Sequence, residues 1–142
     1  MSALWDSSAL VKLYSDEVGA QEVRLWPGAM VMSALSMTEV LGAMWGKALR
    51  GELSEPQASV LDRAFVADLR RGRFAVLPVA EEVIARSLEC VRRHRLPGAD
   101  AVQLASALLA READPDVGAM AVFDQRLRAA ASAEGFTLLP AI

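Results

Sequence analysis

The chain has 142 residues and a mass of 15.2 kDa, with 54% hydrophobic and 23% charged residues, which supports one folded domain over residues 1–142 and excludes disorder and repeat arrays. The longest uncharged stretch, Leu25 to Thr38, is broken by Pro27-Gly28 and too short for a bilayer. Residues 1–20 carry Asp6, Lys12, Asp16 and Glu17 rather than a signal-peptide pattern, so a cytoplasmic protein with no membrane contact is expected. Cys90 is the single cysteine and His94 the single histidine, too few for an intrachain disulfide or a zinc site, and carboxylate chemistry is left as the main resource.

In chain order, Ser2–Trp5 predicts a short buried strand and Ser7 to Tyr14 the helix after it. Met30–Met32 predicts a second strand. Ser36-Met-Thr-Glu39 has the spacing of a capping box, opening a helix that runs to about Arg50, and Ser54 with Gln57 opens another toward Arg71. Phe74–Leu77 predicts a strand closed by Pro78. Glu81 and Glu82 in a first turn and Arg92, Arg93 and Arg95 near the end mark a helix whose charges oppose its dipole. Pro97-Gly98 ends it. Ala99 to Arg111 is apolar nearly all round, which predicts a central helix. A strand over Gly118–Phe123, a helix over Asp124–Glu134 and a last strand over Thr137–Leu139 complete the chain.

Strands alternate with helices, and the strands read as continuous apolar runs, the pattern of strands covered on both faces. The expected fold is therefore α/β, a three-layer α/β/α sandwich around a mostly parallel central sheet. In such sheets ligands bind beyond the carboxyl ends of the strands. Asp6, Asp100 and Asp124 sit beside apolar segments at those junctions or at helix starts, and Glu39 stands in the first turn after the second strand. Each has a plainer reading by itself: Asp6 and Asp124 as helix N-caps, Glu39 as half of its capping box, Asp100 as a dipole-favoured acid. Caps do not explain why four carboxylates share one edge. Clustered anions need a cation, and an all-oxygen set suits Mg²⁺ or Mn²⁺.

The segments Leu4-Trp-Asp-Ser-Ser-Ala-Leu-Val-Lys-Leu-Tyr14, Thr38-Glu39, Leu96-Pro-Gly-Ala-Asp-Ala-Val-Gln-Leu-Ala-Ser-Ala107 and Val122-Phe-Asp-Gln-Arg-Leu127 resemble the successive acidic motifs of PIN-domain ribonucleases, within these the VapC-type toxins of bacterial toxin–antitoxin pairs. The likeness spans residues 3–139. It implies that Asp6, Glu39, Asp100 and Asp124 are the catalytic, metal-holding carboxylates, with Ser8 as a supporting hydroxyl behind Asp6. It also implies an RNA substrate, a small antitoxin partner and a homodimer. Gln103 stands where many relatives have His, and Val122 where Ser or Thr often precedes the fourth acid.

A divalent ion held by carboxylates activates water and neutralises charge on a phosphodiester, which is hydrolytic endonuclease chemistry. The net charge of −3 does not oppose a nucleic-acid substrate, because setting the four acids aside leaves 14 acidic residues against 15 basic ones. Of the basic clusters, Arg126 and Arg128 lie nearest an acid and are the expected phosphate contacts. Four of the six methionines and two of the three tryptophans fall between residues 26 and 45, a pattern that fits either core or an adaptable partner surface. The alternative function is a non-catalytic Mg²⁺-binding regulatory or interaction module of the same fold. A phospho-receiver would need an acidic pair after the first strand, and haloacid-type phosphatases an Asp-x-Asp; Asp6-Ser7-Ser8 offers neither.

Overall fold

Five apolar runs pair into one parallel sheet in a computed structural model that describes residues 1–141: β1 (Ser2–Trp5), β2 (Ala29–Ser33), β3 (Phe74–Leu77), β4 (Val117–Ala121) and β5 (Thr137–Leu139). The strand order is β3-β2-β1-β4-β5. The chain thus winds outward from β1 to β3, then returns to place β4 on the other side of β1, so that the topology reverses between β1 and β4. A crevice at that reversal follows from the winding itself, since the connections on its two sides leave in opposite directions.

Among the described residues seven helices cover the sheet: α1 (Ser7–Val11), α2 (Ala20–Arg24), α3 (Leu35–Leu49), α4 (Glu55–Arg70), α5 (Glu81–His94), α6 (Gly98–Ala113) and α7 (Gln125–Ala133). Alternation along β1 divides the core. Ala3 and Trp5 pack with Leu10 of α1, Val40 and Met44 of α3 and Phe65 of α4. Leu4 packs on the opposite face with Val83 of α5, Leu104 of α6 and Leu127 of α7. Helices therefore lie on both faces of the central strands, which gives the three layers and explains why β1 carries apolar side chains on both sides. As its all-round apolar pattern requires, α6 is the central helix and packs against β1, β2 and β4.

Several boundaries differ from the sequence reading for local reasons. The first helix stops at Val11, not Tyr14, and the Tyr14 hydroxyl donates to Asp68 Oδ2 on α4 at 2.6 Å. The Ser54/Gln57 capping box forms with both of its bonds. The Ser36/Glu39 box does not: α3 begins at Leu35, and Ser36 turns its hydroxyl into the interior. The short helix α2 has no counterpart in the expected elements. Its N-cap is Gly19 at φ 88°, where an added Cβ would meet the Phe123 ring at 2.5 Å, so both the backbone and the space require glycine.

Two buried charges serve the scaffold. Burial alone would push the Asp68 carboxyl up, but donors from Tyr14, Arg73 and Arg71 hold it below the usual range. Arg128, 6% exposed, donates to the carbonyls of Val122 at 2.7 Å and Pro140 at 2.8 Å, fastening the end of β4 to the segment after β5. This corrects its expected role as a phosphate contact: the side chain is buried and its guanidinium donates to backbone carbonyls. The methionine- and tryptophan-rich segment divides in the same way. Met32 and Met44 are core, whereas Met37 and Trp45 lie exposed on α3, with the Trp45 indole donating to Asp62 of α4.

Candidate active site

Beyond the carboxyl ends of β1 and β4 the chain places four carboxylates. Asp6 follows β1 directly, its amide bonded to the Ala121 carbonyl of β4 at 3.1 Å, and it caps α1 by accepting from the Ala9 amide at 3.1 Å. Asp124 lies three residues past β4 and caps α7 through the Leu127 amide at 2.9 Å. Glu39 stands in the second turn of α3, the helix after β2, and Asp100 in the first turn of α6. The cap readings of Asp6 and Asp124 are thus correct, and they coexist with a shared location: Asp6 feels the charges of Asp100 and Glu39, and Asp100 those of Asp124 and Glu39.

The anchored oxygens follow a pattern. Asp6 uses Oδ1 for both of its bonds, from Ala9 and from the Ser8 hydroxyl at 2.6 Å. Glu39 uses Oε1 for two, from the Ser7 hydroxyl at 2.6 Å and from Gln103 Nε2 at 3.0 Å. Asp124 uses Oδ1 for its cap. The second oxygen of each, and both oxygens of Asp100, take no hydrogen bond from the described residues. In Asp6, Glu39 and Asp124 one oxygen fixes the side chain and the other is left without a hydrogen bond from the described residues. Ser8 also accepts from the Phe123 amide at 3.1 Å, so a single hydroxyl ties the end of β1 to the loop that delivers Asp124. Phe123 is held in turn by the Lys12 ammonium, 4.4 Å from its ring centre.

Electrostatically the site concentrates negative charge. Burial pushes the Asp6 carboxyl up to about 7, the hydrogen bonds from Ser8 and Ala9 oppose the rise, and the neighbouring Asp100 and Glu39 add to it. Asp100 is raised as well, by burial and by Asp124 and Glu39, and the Arg126 guanidinium pulls it back. Arg126 is exposed, reaches the Arg95 carbonyl at 3.3 Å and is the basic group facing these acids. No three His, Cys, Asp or Glu side chains among the described residues stand close enough to form a finished coordination shell. Asp6, Glu39 and Asp124 each rest on their own hydrogen-bond donors instead.

The grouping of three residues around Glu39 was not legible in the sequence, where Ser36 read as a cap, Gln103 as a departure from the relatives' His, and Ser7 carried no role. Ser7, Ser36 and Gln103 form a linked group around Glu39, in which Gln103 Nε2 also donates to Ser36 Oγ at 2.7 Å and the Ser7 and Ser36 hydroxyls lie 3.3 Å apart. These partners come from α1, α3 and α6, and no local spacing announces them.

The PIN domain family model matches residues 3–133 of this sequence, a span that includes all four carboxylates. The chain belongs to the PIN-domain family. Two Mycobacterium tuberculosis proteins, ribonucleases VapC45 and VapC49, are each 36% identical to this PIN domain over 140 residues, covering 96% of the chain and 94% of their own lengths. Among solved structures, M. tuberculosis VapC20, described as a sarcin-ricin loop cleaving toxin, superposes with a TM-score of 0.64 at 17% identity, covering 94% of this chain and 95% of its own. A toxin–antitoxin complex from Klebsiella pneumoniae superposes with a TM-score of 0.61 at 21% identity, covering 86% of each chain. At such identities these structures speak for the fold. They share with this PIN domain the three-layer architecture around a parallel sheet.

Proposed function

We propose that this PIN domain, acting as one unit over residues 1–142 in the cytoplasm, is a metal-dependent endoribonuclease and the toxin of a toxin–antitoxin pair. The observation that carries the reading is the enclosed Asp6 carboxyl at the β1/β4 crevice, with the charges of Asp100 and Glu39 bearing on it. Such an arrangement is unfavourable for a scaffold and favourable for a cation site. The ribonuclease relatives, which align over nearly the whole chain, support the same chemistry.

The chemistry of the donor set suits a hard divalent ion. The donors are all oxygen, with neither histidine nor cysteine among them, and three of the four carboxylates have one anchored and one available oxygen. Asp6, Glu39, Asp100 and Asp124 would hold Mg²⁺ or Mn²⁺, which when bound supplies an acidified water and charge neutralisation at the phosphodiester. The chain's own groups do the rest. Ser8 and the Ala9 amide fix the orientation of Asp6, and Ser7 and Gln103 fix that of Glu39. The exposed Arg126 offers a phosphate a bidentate donor beside Asp100 and Asp124. Arg128 is not available for that task.

Incubating the purified protein with total cellular RNA tests the reading. Cleavage is expected with Mn²⁺ or Mg²⁺ and is abolished by excess chelator. RNA left intact with either ion, by protein that nonetheless takes the ion up, would mean a non-catalytic Mg²⁺-binding module instead.

Met37 and Trp45 on α3 provide an exposed apolar area for a second copy of the chain or for a small antitoxin. With Trp45→Arg, which can still pair with Asp62, the sedimented mass is expected to fall from dimer to monomer or antitoxin affinity to drop about tenfold. Unchanged mass together with unchanged affinity would remove this surface from the account.

A further inference from the structure

Gln103 carries an unusual arrangement for a buried amide. It is 2% exposed in the middle of α6, and its Nε2 donates twice, to Ser36 Oγ at 2.7 Å and to Glu39 Oε1 at 3.0 Å, while its Oε1 is buried with no partner among the described residues. A buried carbonyl oxygen without a donor costs about 1–3 kcal/mol. Turning the amide over would not remove the problem, because it would set the carbonyl oxygen against the Glu39 carboxylate. The orientation is therefore dictated by Glu39, and the fold tolerates an orphan acceptor to keep an N–H on that one oxygen. Ser7 brings a second donor to the same oxygen from α1. The other Glu39 oxygen takes no hydrogen bond from the described residues.

We propose that Gln103, with Ser7, is the positioning device for Glu39: two donors from two different helices clamp Oε1 and thereby present Oε2 to the crevice as a metal ligand. The proposal rests on the metal-site reading above and extends it to residues that touch neither ion nor RNA. Donors behind a ligating carboxylate fix its rotamer and typically change metal affinity by about 10–100-fold when lost. Because Gln103 acts through Glu39, its removal changes ion affinity and turnover and leaves RNA binding alone.

Gln103→Met keeps the length and bulk of the side chain and removes both the donor and the orphan carbonyl. The metal-free variant is expected to melt within a few degrees of the parent. Its Mn²⁺ dissociation constant, read by calorimetry, is expected to rise at least about tenfold, and kcat for RNA to fall with KM unchanged. Ser7→Ala, at a half-buried helix start, provides the second variant should Gln103→Met fold poorly, with a smaller change of the same sign. Mn²⁺ affinity and kcat equal to the parent in both variants would overturn the clamp while leaving the nuclease reading intact. A parent protein that takes up no Mn²⁺ would overturn both.

Discussion

Asp6→Asn is expected to abolish RNA cleavage and, in chelator at pH 8, to make the protein more stable. Asparagine keeps an oxygen for the Ser8 hydroxyl and the Ala9 amide, so the cap of α1 survives, and the charge is gone. The sign of the stability change follows from the raised pKa. A free aspartate titrates near 3.8 and the folded Asp6 near 7, so between those values the folded chain holds a proton that the unfolded chain has lost. Stability of the metal-free parent therefore falls as pH rises from about 4 to about 7 and is level above that, an effect on the order of a few kcal/mol. Asparagine has no such loss: the variant gains over the parent most at pH 8 and nothing below pH 4. Activity should drop at least about 10²-fold, since a few kcal/mol of transition-state charge stabilisation goes with the ligand. Thermal melts at pH 4 and 8, beside cleavage assays, check both halves. A variant less stable than the parent at pH 8 would mean that Asp6 serves the fold rather than the site.

Arg128→Met is expected to behave in the opposite way, as a loss of stability with the crevice chemistry intact. The side chain is 6% exposed and its guanidinium feeds the carbonyls of Val122 and Pro140. Methionine fills the volume of the stem but leaves those acceptors enclosed without donors, which costs about 3 kcal/mol. A domain of this size should then melt roughly 10 °C lower. RNA cleavage per folded molecule at low temperature should stay within about twofold. A melting point unchanged by the substitution, with RNA affinity sharply reduced, would restore Arg128 to the substrate.

The contrast between these residues shows what was legible beforehand. β1 was readable because a strand covered on both faces has to be a short apolar run, and the half-exposed edge strands β3 and β5 because short apolar runs lie between turn residues. The acids were readable as a group because each begins or closely follows the start of a helix next to an apolar segment. What stayed hidden depends on contacts distant in sequence. Ser36 has the spacing of a cap, yet α3 starts before it, and its hydroxyl belongs to Gln103, 67 positions away. Ser7 is an ordinary residue of a helix start until Glu39 is folded against it. Arg128 is two residues beyond Arg126 but sits beside Leu127 on the buried side of α7, and only the docking of β5 turns it from a surface cation into a fastener. The helix α2 was missed since its signal is a left-handed glycine and five residues, too short for a periodic pattern.

Titrating Mn²⁺ into metal-free protein at pH 7.5 by calorimetry, for the parent and for Asp6→Asn and Asp100→Asn, reaches the central claim most directly. Saturable uptake by the parent, weakened at least tenfold in each variant, is the predicted result. No heat of binding in the parent, or the same affinity in all three proteins, would contradict it.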